Sequence, residues 1–170
     1  MPRRPSFPEV FDRHSRYVWL TLRRLGARGG ELEDLTHDVF LQVLRHLDEY
    51  DPERPLRPWL FAFAFRIAAQ DRRRLRRRPE VVTDTLEVVD AAPTPVEQLL
   101  THERRELALA ALEELEMNRR AVFILHELDG CPIPEVAQSL EMPLATAYSR
   151  LRLAREDFAQ SVRRLRSRQR

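Results

Sequence analysis

The segment EMPLATAYSRLRLARE, residues 141–156, combines polar side chains that could bind DNA with a helical repeat of apolar ones. Leu144, Ala147, Leu151 and Ala154 recur at i, i+3, i+7 and i+10, which predicts a helix with one buried face. The remaining circumference carries hydroxyl, phenol and guanidinium groups, on Thr146, Tyr148, Ser149, Arg150, Arg152 and Arg155. Such groups suit a helix in a DNA groove, where they can hydrogen-bond base edges and phosphates. A solvated surface is the alternative interpretation.

A second short apolar helix is predicted directly before this one. Val136, Ala137 and Leu140 form its apolar face, and the three residues EMP join it to the helix that begins near Leu144. Two short helices with a three-residue turn are typical of a helix-turn-helix. Ordinary helical hairpins share this spacing, but the basic second helix favours DNA binding.

The run RRRLRRR at residues 72–78 is a second candidate for nucleic-acid contact. Six guanidiniums close together bind phosphates, and they give salt-dependent affinity without sequence information. The aromatic residues Trp59, Phe61, Phe63 and Phe65 precede the run. Because they cover most of a helix circumference, at least two are expected in the core, and base stacking is the alternative for the others.

Charge is segregated along the chain. The formal net charge is +2, and all 29 basic residues are arginine. Residues 57–78 hold eight Arg against one acid, residues 79–116 hold two Arg against ten acids, and residues 150–170 hold eight Arg against two acids. Two basic helices on either side of an acidic middle indicate two contacts with a polyanion. A GC-rich genome would explain the missing lysine but not this segregation.

The composition argues against enzymes, metal proteins and membrane-spanning proteins. The five histidines show no metal-ligand spacing with Cys131, and the sequence has no P-loop or nucleophile elbow, so we expect no catalytic residue, metal or cofactor. A single cysteine excludes an internal disulfide and, without a secretory signal, indicates a reducing cytoplasm. The longest apolar run, WLFAFAF, is too short for stable membrane insertion.

Four glycines and no strand alternation predict an all-α protein of two small helical domains. Helices at 8–25, 32–47 and 59–77 form a three-helix domain, residues 1–78. The predicted apolar stripe of the first helix is Phe11, Val18, Leu22 and Leu25, and that of the second is Leu35, Val39, Val43, Leu44 and Leu47. Residues 79–95, acidic and proline-containing, form an extended linker. A capping box of Thr94 and Glu97 starts a four-helix domain, residues 96–170, in which the C-terminal RRLRSRQR is expected to fray.

Over nearly its whole length the chain resembles an extracytoplasmic-function (ECF) sigma factor of bacterial RNA polymerase. EDLTHDVFLQVLRHLDEYDPERPLRPWLFAFAFRIAAQDRRR resembles the first domain of that family, and ALEELEMNRRAVFILHELDG with IPEVAQSLEMPLATAYSRLRLARE resembles the second. The resemblance implies promoter-specific transcription initiation without catalysis. The implied partners are core RNA polymerase and promoter DNA, both double- and single-stranded. The resemblance also leaves room for an anti-sigma factor that would hold the protein at the membrane.

The resemblance assigns roles to the residues above. Ser149 and Arg152, opposite the buried face, and Tyr148 beside them are expected to contact bases of the minus-35 element, and Arg150 and Arg155 on the flanks to contact phosphates. Packing of Tyr148 on its own domain is the alternative. The face expected to dock on the clamp helices of the largest polymerase subunit comprises Asp34, His37, Asp38 and Gln42. The minus-ten element is assigned to the base-capturing loop from Tyr50 to Leu56, which begins with Tyr50 and Asp51, and to Arg66, Gln70, Arg72, Arg73, Arg74, Arg76 and Arg77.

The sequence departs from the family pattern at several of these positions. Arg66 stands where asparagine is usual, Glu141 replaces a turn glycine, His37 replaces glutamine, and Ala145 and Tyr148 are also atypical. The base preference therefore cannot be copied from relatives. A stand-alone helix-turn-helix repressor or activator is the main alternative function, and a basic peripheral membrane protein is a weaker one.

Overall fold

Helices account for most of the described chain. The computed structural model describes the backbone of residues 3–77 and 95–168 and the side chains of residues 3–76 and 101–168. In chain order the helices are α1 (Phe7–Arg24), α2 (Glu31–His46), α3 (Leu56–Arg77), α4 (Pro95–Glu113), α5 (Met117–Phe123), α6 (Ile133–Ser139) and α7 (Leu144–Arg168). These two ranges contain no strand, which confirms the all-α prediction. The predicted linker, apart from Pro95, and the side chains of Thr94 and Glu97 lie outside the described residues.

The helices α1, α2 and α3 pack together as the first bundle. A capping box starts α1, where the Ser6 backbone N–H donates to Glu9 Oε2 at 2.7 Å. The helix ends before Gly26, whose φ of +104° favours glycine. The core that joins the three helices is formed by Val18, Leu22, Val39, Val43, Leu60 and Phe61. Helix α3 begins at Leu56, three residues earlier than predicted, and Pro58 still lies in its first turn.

The helices α4 to α7 form the second bundle, with α7 packed against α4, α5 and α6. Glu116 caps α5 by accepting hydrogen bonds from the N–H groups of Asn118 and Arg119. The predicted α-helix over 118–128 is only partly present, because α5 passes into a π-helical turn, Ile124–Leu128. In this wider turn the Asp129 N–H donates to the carbonyl of Ile124 at 3.0 Å.

Three residues predicted in apolar core stripes are substantially exposed. Leu44 is 52% exposed, Leu144 46% and Phe11 37%. In α2 the buried face follows Leu35, Val39 and Val43 at four-residue spacing, and Leu44 lies 100° from Val43, toward solvent. An apolar residue next to a buried stripe can thus lie on the surface.

The predicted fraying at the C-terminus is wrong for residues 163–168. Helix α7 continues to Arg168, Ser161 is buried, and Arg164 forms an ion pair with Glu114 just after α4. These contacts tie the last turns of α7 to the second bundle. The basic character of the segment hid them from sequence analysis.

The two bundles pack directly against each other, through α3 with α6 and α1 with α4. Their buried apolar residues form one continuous cluster. The turn of the helix-turn-helix faces this boundary, and its Glu141 has a φ of +51°. A non-glycine residue in this left-handed region costs roughly 1–2 kcal/mol. Its side chain reaches Arg66 of the first bundle, at 3.1 Å.

Candidate functional site

Helix α7 presents the predicted DNA-binding face to solvent. Ala147, Leu151 and Ala154 are buried, as their spacing predicted. On the opposite side Ser149 and Arg152 are exposed, and Tyr148 beside them is 55% exposed rather than packed on its own domain. Thr146 and Arg150 on the flank are half-buried, and Arg155 on the other flank is exposed. The helix can therefore enter a groove without disturbing its packing.

The three arginines of this face have weak partners within the protein. The Arg152 guanidinium donates to Glu156 at 2.8 Å, and Arg155 donates to Glu127 at 2.5 Å. Arg150 Nη1 lies 3.6 Å from the sulfur of Met142. Exposed ion pairs contribute at most about 1 kcal/mol, so phosphates or base edges can replace these partners at little cost.

The second half of α3 carries the arginine row. Arg73, Arg74 and Arg76 are exposed and Arg72 is half-buried, while the side chain of Arg77 lies outside the described residues. Arg74 pairs loosely with Asp71 at 3.8 Å. Gln70 is exposed earlier on the same helix. A cavity of about 430 Å³ is lined by three members of this row, Arg72, Arg73 and Arg76, together with Phe65, Arg66, Glu116, Met117 and Asn118.

The loop predicted to capture a base borders a smaller cavity of about 200 Å³. Tyr50 lines it but is only 5% exposed, and its hydroxyl donates to the carbonyl of Arg54. The Tyr50 ring lies 5.1 Å from Trp59, which meets Phe63 edge-on at 4.8 Å. Burial raises the pKa of the Tyr50 phenol. Asp51 is exposed, and its carboxylate accepts the Glu53 N–H at 3.0 Å, which fixes the turn.

The aromatic residues of α3 behave as the sequence predicted. Phe61 and Phe63 are buried in the core. Trp59 and Phe65 are half-buried and each lines one of the two cavities. Trp59 and Phe65 are therefore the two more accessible rings of this set, and Phe63, although buried, also lines the smaller cavity.

The predicted docking face lies on the solvent side of α2. Asp34, His37 and Asp38 are exposed and Gln42 is half-buried. Leu41 projects between them at 52% exposure, and Leu44 extends the patch. This apolar centre does not follow from the sequence pattern, because Leu44 fits the predicted core stripe and Leu41 fits neither face. An apolar centre with a polar rim is the usual composition of a protein–protein interface.

Arg120 of α5 is a buried cation at the boundary between the bundles, which sequence analysis did not single out. It is 1% exposed, and its guanidinium donates to the Leu25 carbonyl of the first bundle at 2.9 Å and to the Leu115 carbonyl at 3.1 Å. It also donates to the carbonyl of Glu113 at 2.5 Å. Burial lowers the pKa of Arg120 to about 10. Its position one turn before Ile124, on the buried face of α5, was the available sequence signal.

Asp129, just after the π-helical turn, makes the second polar contact across the boundary. Its carboxylate accepts a hydrogen bond from the Tyr17 hydroxyl at 2.7 Å and another from Arg24 at 3.2 Å. The side chain of Asp129 is only 7% exposed. Burial raises the pKa of the Asp129 carboxyl, and burial together with the Asp129 charge raises the pKa of Tyr17.

Two family models match the chain in the order of its two bundles. Residues 10–78 match sigma-70 region 2, and residues 105–158 match sigma-70 region 4. The first match covers α1 to α3 with the arginine row. The second covers the helix-turn-helix and the outward face of α7.

Whole-chain comparisons agree with the two models. The RNA polymerase sigma factor CarQ of Myxococcus xanthus is 32% identical over 134 residues, which are 77% of this chain and 74% of CarQ. The RNA polymerase sigma factor NccH of Alcaligenes xylosoxydans is 28% identical over 88% of this chain and 83% of NccH. In the co-crystal structure from Bartonella quintana, the sigma factor RpoE, bound to the anti-sigma factor NepR, has a similar fold. The TM-score is 0.70 at 18% identity, over 92% of this chain and 96% of that one.

The fold and the two surfaces define a helical DNA-binding protein with the region 2 and region 4 organisation of a sigma factor. The chain belongs to the extracytoplasmic-function group of the sigma-70 family. It is accordingly an alternative sigma factor that directs promoter-specific transcription initiation. Among the described helices, none combines the length and the apolar character needed to cross a bilayer.

Proposed function

We propose that the two bundles divide promoter recognition between them. Residues 1–78 bind core RNA polymerase and the minus-ten element, residues 96–170 bind the minus-35 element, and the acidic residues 79–95 connect the two. The protein supplies specificity and uses no metal or cofactor, while the polymerase performs the catalysis.

In the minus-35 contact, α7 lies in the major groove with its outward face toward the bases. Arg152 and Ser149 are exposed opposite the buried face, and Tyr148 is exposed beside them. An arginine can bind guanine with two hydrogen bonds, and a hydroxyl can accept or donate one. Arg150, Arg155 and Thr146 on the flanks bind the phosphates and set the position of the helix.

In the minus-ten contact, the cavity beside Tyr50 and Asp51 receives a base from the melted strand. Trp59 offers a ring for stacking there, which suits single-stranded DNA because an unstacked base exposes its face. Arg66 and Gln70, farther along α3, are the next residues that we assign to the minus-ten element. The arginine row of Arg72, Arg73, Arg74, Arg76 and Arg77 binds the backbone phosphates.

The polymerase contact uses the solvent face of α2. The Leu41 and Leu44 patch supplies apolar area to be buried, and Asp34, His37, Asp38 and Gln42 supply directional polar contacts around it. We assign this face to the clamp helices of the largest polymerase subunit.

An anti-sigma factor is the regulatory partner we propose. The RpoE structure shows a sigma factor of similar fold bound to the anti-sigma factor NepR. We propose that this chain also has an anti-sigma partner. We place the chain in the cytoplasm, and its partner could hold it at the membrane.

The observation that carries the proposal is the docking patch on the same bundle as the arginine row. A stand-alone repressor needs the helix-turn-helix but has no use for a polymerase-docking face. Hydroxyl-radical footprinting separates the two functions on a promoter fragment selected from genomic DNA with core polymerase present. We expect protection over both elements only when core polymerase and the chain are added together. The same protection by the chain alone would favour the repressor.

A further inference from the structure

We propose that Arg3 and Arg4, the two arginines ahead of α1, bind the DNA phosphates beside the base that is captured in the Tyr50 cavity. This inference rests on the proposed function, because it takes the melted minus-ten strand as the ligand. It adds to the first bundle a phosphate contact that is separate from the arginine row on α3. We call residues 3–6, with the sequence RRPS, the arm.

The arm is fixed where it joins α1. The backbone N–H and the hydroxyl of Ser6 both donate to Glu9 Oε2, at 2.7 and 2.9 Å. Phe7, the first residue of α1, meets Phe40 of α2 edge-on, with 6.3 Å between the ring centroids. Pro5 is half-buried, and its ring restricts the backbone between these contacts and the two arginines. The arginines therefore extend from a fixed junction, so less conformational entropy is lost when they bind a ligand.

The Arg4 guanidinium reaches the base-capturing loop. Its Nε donates to the carbonyl of Tyr50 at 3.3 Å, although the two residues are 46 positions apart in the chain. This is the only hydrogen bond of Arg4 within the described part of the chain, so Nη1 and Nη2 remain available. The N–H donors of a planar guanidinium match two oxygens of one phosphate. Arg4 can therefore contact the loop and a phosphate at the same time.

Arg3 has a partner that a phosphate can replace. It forms an ion pair with Glu9, and the Arg3 side chain is 77% exposed. Exposed ion pairs contribute little to stability, because water screens the two charges. Arg3 can therefore exchange this carboxylate for a DNA phosphate at little cost.

The arginine row is too far from the cavity to bind the phosphates beside the captured base. Trp59 lines the cavity, and Arg72, the first member of the row, follows thirteen residues later on α3. At the helical rise of about 1.5 Å per residue, the two positions are about 20 Å apart, which is longer than an arginine side chain. Arg66 also lines the cavity, but its guanidinium pairs with Glu141. The phosphates at the loop side of the cavity therefore need another cation.

The loop itself is acidic. Residues 48–56 contain one arginine, Arg54, and four acids, which are Asp48, Glu49, Asp51 and Glu53. Two of these acids line the cavity. Carboxylates repel a phosphate, so a strand that enters the cavity needs added positive charge at the loop. Arg4, which contacts the loop, and Arg3 beside it supply that charge.

Variants that remove or keep the charge separate phosphate binding from a purely structural role of the arm. Arg3→Gln combined with Arg4→Gln removes both charges, whereas Arg4→Lys keeps the charge but lacks the Nε that donates to the Tyr50 carbonyl. Arg13→Gln, which changes an exposed arginine of α1, is the matched control. Each protein is assembled with core polymerase. Fluorescence anisotropy then measures its affinity for a single-stranded oligonucleotide of the minus-ten sequence, taken from the footprinted promoter, at several salt concentrations.

We expect the double glutamine variant to bind this oligonucleotide about tenfold more weakly, because charge-assisted hydrogen bonds are lost. Its plot of log affinity against log salt should flatten by roughly 0.7 for each phosphate that it no longer binds. Arg4→Lys should keep most of the slope, and the control should match the unchanged protein. A slope in the double variant equal to that of the unchanged protein would overturn the proposal.

Neutral methylphosphonate linkages in the oligonucleotide locate the contact. Replacing single phosphates beside the captured base should weaken binding by the unchanged protein at one or two adjacent positions, without further weakening the double glutamine variant there. Equal losses for both proteins at every position would also overturn the proposal. A scrambled oligonucleotide tests the proposed function separately. If the unchanged protein does not prefer the minus-ten sequence, the minus-ten assignment fails, whereas failure of the arm alone leaves that preference intact.

Discussion

Arg152 donates a hydrogen bond to Oε1 of Glu156 at 2.8 Å, one turn farther along α7. The two side chains are 64% and 53% exposed, so water screens the pair. Such an i, i+4 pair contributes a few tenths of a kcal/mol, about 0.3–0.5. Glu156 thus contacts Arg152 without binding it strongly, and Arg152 can exchange Glu156 for a base edge.

Replacement of this arginine should change sequence preference rather than folding. We predict that Arg152→Ala relaxes selectivity at one minus-35 position by about 1–3 kcal/mol, the worth of a bidentate base contact. Arg155→Ala, on the flank, should instead lower the affinity for all promoters about equally. Selection from a randomised minus-35 library measures both effects. If the consensus selected by Arg152→Ala is unchanged, Arg152 does not read a base and contacts a phosphate instead.

The α2 face should determine polymerase binding. We predict that Asp38→Arg abolishes co-purification with core enzyme, and that Leu41→Ala weakens it, because one removes a rim charge and the other removes apolar area from the interface. Circular dichroism checks that both variants remain helical. Asp48→Arg, an exposed acid outside the patch, should bind core normally. Full core binding by a folded Asp38→Arg variant would exclude this face.

The arginine row should account for much of the salt dependence of promoter binding. Changing Arg72, Arg73, Arg76 and Arg77 to glutamine should flatten the plot of log affinity against log salt by roughly 0.7–0.9 for each phosphate that the variant no longer binds. Arg13→Gln with Arg45→Gln, two exposed arginines elsewhere on the first bundle, serves as the control. If the slope stays the same, the row does not bind phosphates.

Buried Arg120 should be important for stability. Arg120→Leu leaves the carbonyls of Leu25, Glu113 and Leu115 without their donor, so we predict a loss of about 3 kcal/mol in the free energy of unfolding. Arg119→Gln, which removes only the half-exposed pair with Asp157, should cost less than about 1 kcal/mol. Urea denaturation measures both values. If the two variants lose equally small amounts of unfolding free energy, water takes the place of the buried guanidinium as the donor to the three carbonyls.

Local periodicity predicted the helices but not the contacts between them. Ala147, Leu151 and Ala154 repeat at helical spacing, so the buried face of α7 followed from the sequence. Leu44 was wrongly predicted in the core and Leu41 was assigned to neither face, because their exposure depends on which side of α2 meets α1 and α3. The first-bundle partners of Arg120 and Asp129 are about a hundred residues distant in the chain, and no short pattern links them.

The titration of Asp129 makes the free energy of unfolding depend on pH. Because burial raises its pKa, its contribution to stability is fully present below the usual carboxyl pKa of about 4 and is lost as pH rises through the raised value. Tyr17, Arg24 and Arg57 face the carboxylate, and Cys131 lies near it. We predict that Asp129→Asn reduces the fall in unfolding free energy as pH rises from the usual carboxyl pKa through the raised pKa of Asp129. If the unfolding free energies of the unchanged protein and of the Asp129→Asn variant fall in parallel with pH, Asp129 does not cause the fall.

Run-off transcription with purified core polymerase measures directly whether the chain acts as a sigma factor. Core enzyme alone and core enzyme with the chain are compared on a library of genomic fragments. We predict discrete transcripts that depend on the chain and start downstream of a shared pair of sequence elements. Transcripts no different from those of core enzyme alone, from a chain that is folded and helical, would contradict a role in promoter-specific initiation.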